Sequence, residues 1–332
     1  MDNALRPMST SQVLDRTFQL YRSNFVLFAG IAALTPALKL IVGLVQLRFV
    51  GAPLLSQGAA PNGTEMQMYL VRTLIAMLAG GVVYLVGTAF ASSATIYAVS
   101  MVHLGKTTSI RESYSKIRRI FWRILGLIIR VAVLAAWPIF AGYLLIIVIT
   151  LGMALMIRKA GPTAGGIFAI VLGLAAFTTI IGGVIWMIYA LCKYALAIPA
   201  ATLEDVPGKV SVIRSKYLTK GRRGRIFLIY LLTFLMAAIL TYVLETPALV
   251  ASKMVFFDAT THISMASLIW IYIAGFLGGT LAGPIATIAI ALVYYDERVR
   301  REAFDLQVMM ESIGQAPPSA GTALNSAAPS AG

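Results

Sequence analysis

Residues 226–250 read IFLIYLLTFLMAAILTYVLETPALV, an apolar stretch in which Glu245 is the one charged side chain. An α-helix needs roughly 20 apolar residues to cross a hydrocarbon core about 30 Å thick, so this stretch is long enough to span a membrane. Five further runs of comparable length lie near 25–47, 70–101, 124–157, 163–192 and 263–295. The sequence therefore predicts an all-α polytopic membrane protein with six transmembrane helices.

The composition is typical of a chain whose main solvent is lipid. Of the 332 residues, 59% are hydrophobic and 12% are charged, whereas a soluble domain has about 25% charged residues. A single cysteine excludes an internal disulfide, and two histidines make a metal site unexpected. Because the sequence also contains no phosphate-binding loop, dinucleotide-binding, zinc-hydrolase or nucleophile-elbow pattern, we expect no catalytic residues, no metal and no cofactor.

The basic residues alternate between successive loops. Of the 27 Lys and Arg residues, 20 lie in the N-terminal segment, the 102–123 loop, the 193–225 stretch and the C-terminal flank of the last run. The alternate loops hold four, which are Arg48, Arg158, Lys159 and Lys253. Because short loops rich in Lys and Arg stay in the cytoplasm, we expect both termini there, in an inner (plasma) membrane. The net charge of +14 then reflects topology, and we expect no nucleic-acid partner.

Three segments that precede pairs of apolar runs resemble one another. Each has an apolar residue followed four positions later by an aromatic one: Leu14 and Phe18, Ile110 and Tyr114, Ile213 and Tyr217. This spacing predicts three short amphipathic helices in the cytoplasmic interface. We therefore predict one membrane domain, 1–313, that consists of three repeats, 9–105, 106–208 and 209–313. The alternative is that any basic segment beside a membrane is mildly amphipathic. The Pro-rich tail, 314–332, is predicted to be disordered.

Three stretches carry a resemblance to a known family: VLDRTFQLYRSNF at 13–25, the 195–232 stretch that begins ALAIPAATLEDVPGKVSVIRSKY, and ALVYYDERVRREAFDL at 291–306. With the hydropathy pattern, they resemble the glycerophosphoryl diester phosphodiesterase membrane domain family and related bacterial membrane proteins. The resemblance implies a six-helix membrane domain that is sometimes fused to a soluble phosphodiesterase barrel. That barrel would need a couple of hundred further residues, so the resemblance does not imply phosphodiesterase activity here.

The densest group of charges follows the last apolar run, and consists of Asp296, Glu297, Arg298, Arg300, Arg301 and Glu302. On a continued helix, Asp296–Arg300, Glu297–Arg301 and Arg298–Glu302 are i,i+4 pairs. One interpretation is a solvated helix extension that these pairs stabilise. The other is a docking surface for the cytoplasmic loops or for a protein partner.

The arginines of the two basic loops allow two interpretations as well. Arg118, Arg119, Arg222 and Arg223 are explained by membrane topology alone. Alternatively, they bind anionic lipid headgroups, at about 1 kcal/mol per residue near the surface.

Lys39 lies inside the first apolar run, where a charge raises the free energy of insertion by roughly 2.5–3.5 kcal/mol. One interpretation is that its side chain extends toward the nearer, outer face of the membrane. The other is an ion pair with Glu245 or a polar pathway, for which Thr150, Thr178 and Thr179 are the further indications. In the last run, Gly275, Gly279 and Gly283 form a stripe that permits close helix packing, either within the bundle or in a homo-oligomer.

We therefore predict a non-enzymatic integral membrane protein. Its expected role is that of a scaffold or accessory subunit that engages lipids or a protein partner at the cytoplasmic face. The alternative is a small transporter or lipid-translocating protein. A continuous cavity lined by Lys39 and Glu245 would favour transport, whereas a closed bundle with an apolar core would favour the scaffold.

Overall fold

A computed structural model of the chain describes residues 8–50, 63–160, 162–251 and 265–302. Within these ranges the regular structure is entirely helical. Six stretches are long and apolar enough to cross a membrane: Phe25–Arg48, Gln67–His103, Phe121–Ile149, Leu172–Leu203, Arg223–Val250 and Met265–Glu302. The predicted all-α, six-span fold is thereby confirmed. The tail at 314–332 lies outside the described residues.

The helices follow one another as α1 (Thr10–Ser23), α2 (Phe25–Ala32), α3 (Leu34–Val50), α4 (Gly63–His103), α5 (Ile110–Arg118), α6 (Phe121–Ala160), α7 (Pro162–Tyr194), α8 (Ala197–Leu203), α9 (Gly208–Thr219), α10 (Arg223–Ala251) and α11 (Met265–Glu302). A short helix precedes each pair of spans, at α1, α5 and α9. That order agrees with the pattern on which the three repeats were predicted, while a structural relation between them stays a prediction.

Local sequence explains where the short helices begin and why the first span is interrupted. Ser9 caps α1 by accepting a hydrogen bond from the N–H of Gln12 at 3.2 Å, and Ser109 caps α5 by accepting one from Glu112 at 3.2 Å. Pro36 has no N–H to donate to the carbonyl of Ala32, four residues earlier. The first span is accordingly divided between α2 and α3, with the break directly after Ala32.

The last span, α11, is the central helix of the bundle. Of its apolar stretch 56% is buried, compared with 17–28% for the other five spans. It packs against α1, α2, α3, α4, α8, α9 and α10. The other spans leave large apolar side chains exposed, among them Val26, Trp122 and Phe140. In a membrane these side chains face lipid, which is as apolar as they are.

The best-packed core lies at one end of the bundle, where the short helices gather. Its fully buried side chains include Ile117 of α5, Leu196, Leu218 of α9, Ile226 of α10 and Leu292 of α11. We call this end the basic end: it comprises α1, α5, α8, α9 and the adjoining ends of the long helices.

The two basic segments of the sequence lie together at the basic end. Arg123, at the start of α6, donates a hydrogen bond from Nη1 to the carbonyl of Asp205 at 3.0 Å. Arg300, near the end of α11, donates to the carbonyl of Met8 at 2.6 Å. The 102–123 loop, the 193–225 stretch and the first and last described residues therefore share one end. Which side of the membrane that end faces stays a prediction.

The short helices pack on the bundle with faces that differ from the predicted ones in two of the three segments. In α1, Phe18 is 37% exposed, while Val13, Thr17 and Leu20 are buried. Tyr114 of α5 points inward: its hydroxyl donates to the carbonyl of Ile31 at 2.5 Å, and burial raises its pKa to about 12. In α9, by contrast, Ile213 and Tyr217 are 64% and 50% exposed, while Ser215 and Leu218 are buried. The apolar-aromatic pair of the third segment therefore does not form the face that packs on the protein.

The predicted glycine stripe of α11 contacts a neighbouring helix at one of its three positions. A Cβ at Gly279 would lie 2.9 Å from Cβ of Pro36, so α3 and α11 approach closely there. A Cβ at Gly275 or Gly283 would meet nothing within 4 Å. Gly278, outside the stripe, makes the contact with α10, because a Cβ there would lie 2.6 Å from Oγ1 of Thr241. Homo-oligomerisation through the stripe stays a prediction.

We predict that Gly279→Ala destabilises the protein and that Gly275→Ala does not. The added methyl group at 279 must displace the rigid ring of Pro36, and overpacking of this kind costs about 1–3 kcal/mol. At position 275 the methyl group enters open space. Thermal unfolding of both purified variants in detergent, followed by tryptophan fluorescence, measures the difference. Equal unfolding temperatures for the two variants would contradict the close packing of α3 on α11.

Candidate functional site

Two adjacent carboxylates lie buried where α11 ends in the basic end. Asp296 is 1% exposed and Glu297 is 0% exposed. Removing an ionised carboxylate from water costs several kcal/mol unless charged or hydrogen-bonding partners compensate for the lost hydration. The partners of these two residues therefore determine how this end of the bundle is assembled.

Asp296 joins the N-terminal segment to α10 and α11. Its Oδ1 accepts a hydrogen bond from the backbone N–H of Met8 at 2.6 Å, and its Oδ2 accepts from Arg300 at 3.0 Å and from Arg225. Arg225 and Arg300 in turn donate to the carbonyl of Met8 at 2.9 and 2.6 Å. The carboxylate, two guanidinium groups and one peptide unit are thus joined by hydrogen bonds.

Glu297 is held by charge rather than by hydrogen bonds. Three guanidinium groups lie near its carboxylate, those of Arg222 and Arg225 at 3.6 Å and that of Arg301 at 3.7 Å. Neither carboxylate oxygen has a hydrogen-bond partner among the described residues. Each contact is therefore a longer ion pair, and the three together offset part of the cost of burial.

A second group of charges joins α8 and α9 to α11. Arg214 of α9 donates from Nε to both carboxylate oxygens of Glu204, at 3.1 and 3.0 Å, and from Nη2 to Glu302 at 2.6 Å. The hydroxyl of Tyr294 also donates to Glu204. Burial alone would lower the pKa of Arg214, but the hydrogen bonds to Glu204 and Glu302 raise it overall. We call these residues and those around Asp296 and Glu297 the charge network.

The charge network changes the interpretation of the predicted cluster. All three i,i+4 pairs form: Asp296–Arg300 at 3.0 Å, Arg298–Glu302 at 3.2 Å and Glu297–Arg301 at 3.7 Å. A solvated helix extension does not describe the site, however, because Asp296 and Glu297 are buried. The cluster instead docks other segments of the same chain.

Sequence reasoning missed Glu204, Arg214 and Met8 as members of the network. These residues are separated by long stretches of chain, and no local spacing relates them. The sequence did contain one indication of this site. The charge network lies in or next to the stretches that carry the family resemblance, which are 13–25, 195–232 and 291–306.

Two of the four arginines predicted to contact lipid are engaged within the chain. Arg222 pairs with Glu297. Arg223 donates to the hydroxyl of Tyr189 at 2.8 Å, and its guanidinium lies 4.8 Å from the centre of that ring. Arg118 and Arg119 are exposed. The latter two are therefore the arginines left available to headgroups.

Lys39 and Glu245 are not brought together. A cavity of about 290 Å³ between α3, α4 and α11 is lined by Lys39, but Glu245 does not line it. Among the described residues, no ion pair within 4.0 Å joins the two side chains. The hydroxyls of Thr178 and Thr179 donate to the carbonyl of Ala175 within α7, and the side chain of Thr150 lies outside the described residues. The geometry gives the predicted pair no support.

Comparison with known proteins adds no functional assignment: no family model, no curated protein and no solved structure matches this chain. The resemblance to the glycerophosphoryl diester phosphodiesterase membrane domain family therefore stays a prediction. Within the described ranges, no group of three or more His, Cys, Asp or Glu side chains is placed to hold a metal ion.

We predict that Arg225→Gln strongly destabilises the protein, whereas Arg119→Gln leaves its stability within about 0.5 kcal/mol. Removing the Arg225 guanidinium leaves Asp296 and Glu297 buried with fewer cations, and breaking a buried ion pair costs about 3–5 kcal/mol. Unfolding in detergent measures both effects. The double variant Arg225→Gln/Asp296→Asn should recover part of the loss, and a double variant less stable than Arg225→Gln would contradict the pairing.

Proposed function

We propose that this chain is a non-enzymatic integral membrane protein that serves as a scaffold or accessory subunit and binds anionic lipid headgroups with its basic end. The observation that supports the proposal is that the acidic side chains of this end are mostly paired, whereas many of its Lys and Arg side chains are exposed. The charge network pairs four carboxylates with arginines, those of Glu204, Asp296, Glu297 and Glu302. The surface of this end is therefore left strongly positive.

The exposed cations at the basic end outnumber the exposed carboxylates. The exposed cations outside the charge network are Arg22, Lys106, Arg111, Lys116, Arg118, Arg119, Lys209, Lys216 and Lys220. The carboxylates are Asp15, Glu112 and Asp205. Asp205 is itself bound by Arg123, whose hydrogen bond and charge lower the pKa of that carboxyl. Its negative charge is therefore already balanced at neutral pH.

A groove beside α5 provides a specific place for a headgroup. It has a volume of about 440 Å³, and Ser109, Arg111, Glu112, Lys116 and Arg119 are among the residues that line it. Three cations and a hydroxyl surround one acid, an arrangement that favours a phosphate group, because Arg and Lys form short charge-assisted hydrogen bonds with phosphate oxygens. Each such cation near a membrane surface contributes about 1 kcal/mol to the attraction of anionic lipid.

The apolar core of the basic end supports a scaffold role in the same proposal. The side chains of Ile117, Leu196 and Leu292 fill the space between the helices at this end. We place the basic end in the cytoplasm, because cytoplasmic loops are the ones enriched in Lys and Arg. The resemblance to a bacterial family supports placing the protein in a bacterial inner membrane.

Transport or lipid translocation is the second candidate function. The cavity beside Lys39 is the observation that favours it, since transporters bind their substrates in polar cavities near the middle of the bilayer. The cavity lacks Glu245, which leaves it with one charged side chain rather than an ion-coupling pair.

The proposed orientation predicts the labelling of single cysteines introduced into a Cys192→Ala background. Lys106→Cys and Lys209→Cys should be protected from a membrane-impermeant maleimide in intact cells and labelled after the inner membrane is permeabilised. Arg48→Cys, at the opposite end of the bundle, should be labelled in intact cells. Labelling of positions 106 and 209 from outside would reverse the orientation, and labelling of the two from opposite sides would overturn the topology.

The proposed lipid binding predicts that Arg118→Gln/Arg119→Gln reduces the preference for phosphatidylglycerol over phosphatidylcholine. At about 1 kcal/mol per cation, removing two cations should reduce the preference roughly 30-fold. Native mass spectrometry of the detergent-solubilised protein, titrated with each lipid, measures the preference. Arg48→Gln/Arg72→Gln removes two exposed cations from the opposite end and is the matched control. Equal effects of the two double variants would contradict a site at the basic end.

A further inference from the structure

A cavity of about 290 Å³ lies between α3, α4 and α11, within the spans and apart from the basic end. We call it the Lys39 cavity. At 1.5 Å per residue, Lys39 lies about 21 Å along the first span from Phe25 and about 13 Å from Arg48. Its ammonium therefore originates well inside the hydrocarbon region, far from the groove proposed for headgroups.

Lys39 is the only charged residue among those that line the cavity. No carboxylate of the described residues lies within ion-pair distance of its ammonium. Intramembrane cations are otherwise paired with an acid, with backbone carbonyls or with the contents of a water-filled cavity. The cavity thus presents a positive charge that the described part of the protein does not neutralise.

Two hydroxyl groups on the cavity wall are also without partners. The Oγ1 atoms of Thr35 on α3 and Thr88 on α4 are buried and make no hydrogen bond within the described part of the chain. The neighbouring hydroxyls of Ser92 and Thr95 are already engaged, as donors to the carbonyls of Thr88 and Ala91. Both oxygens have almost no accessible surface, so they add to the polarity of the wall rather than to contacts with a bound molecule.

The shape of the cavity indicates where such a molecule enters. Gly275 and Gly283 line it without a side chain, and a Cβ at either position would meet nothing within 4 Å. The close contact of Gly279 with Pro36 limits the cavity between α3 and α11. Lys39, Tyr84 and Gly283 are exposed, so the cavity opens onto the side of the bundle that lipid covers in a membrane.

We propose that the Lys39 cavity binds one anionic amphiphile of the bilayer, with its carboxylate or phosphate oxygens at the ammonium of Lys39. A cation without a partner among the described residues favours an oxyanion. The largely apolar wall and the opening toward lipid favour a ligand that carries an alkyl chain. Ligand pockets for drug-sized molecules hold about 300–1,000 Å³. The cavity therefore accommodates the head and the first part of a chain that continues into the lipid.

The test uses the full-length protein in detergent and measures ligand binding by native mass spectrometry, with the shift in unfolding temperature as a second measurement. The probes are oleate, dodecyl phosphate and the neutral dodecanol, with acetate and inorganic phosphate as anions that lack a chain. We expect oleate, dodecyl phosphate or both to bind one per protein. Dodecanol and the two soluble anions should bind at least tenfold more weakly. Binding of oleate alone assigns a carboxylate head, and binding of dodecyl phosphate alone assigns a phosphate head.

Three variants locate the binding. Lys39→Met should weaken it at least tenfold while Lys39→Arg retains it, and Gly283→Leu should block it by filling the cavity with Lys39 still present. Arg118→Gln/Arg119→Gln should leave it unchanged, which separates this site from the proposed headgroup binding at the basic end. Equal binding of dodecanol, full binding by Lys39→Met or Gly283→Leu, or loss of binding in the Arg118/Arg119 variant would overturn the proposal. Should Lys39→Met fail to fold, Gly283→Leu and Lys39→Arg still decide it.

Discussion

The burial of Asp296 and Glu297 among guanidinium groups is the constraint on which the basic end depends. Apolar surfaces gain little from meeting one another in lipid, so hydrophobic packing alone does not fix how six spans are arranged. Buried carboxylates do fix it, because each requires its cation at a defined place. Arg225 on α10 and the peptide unit of Met8 must therefore lie level with the end of α11, and Arg214 must bring α9 to Glu204 and Glu302.

This constraint also explains why the two halves of the bundle differ. Near the charge network, short helices close the spaces between the spans, and Ile226, Leu218 and Tyr294 are fully buried. Farther along, five of the six spans bury 28% or less of their apolar stretch. Lipid covers them there, and an opening such as the Lys39 cavity can persist because no short helix covers it.

Local properties of the sequence predicted local properties of the structure. The number of spans follows from the length of apolar runs, and the pairs of α11 follow from i,i+4 spacing. The partners of those pairs could not be predicted, because Arg214 and Glu302 are 88 residues apart and no pattern relates them. Helix rotation was also beyond the sequence: one residue turns a helix by about 100°, so Gly278 rather than Gly275 meets α10, and Ile213 faces outward.

The predicted pair of Lys39 and Glu245 does not form for a related reason: the sequence does not show which helices pack against one another. Both residues lie in apolar runs, but α3 packs against α4 and α11, while α10 packs against α11 and α7. At the basic end every acid of the charge network is matched by a cation of the same chain, so the site is complete and structural. In the Lys39 cavity the charge is not matched within the described chain. A low-dielectric surrounding makes an unmatched charge costly. The proposed amphiphile would supply the anion that the described part of the chain does not, and the bilayer is the nearest source of anions that carry an apolar chain.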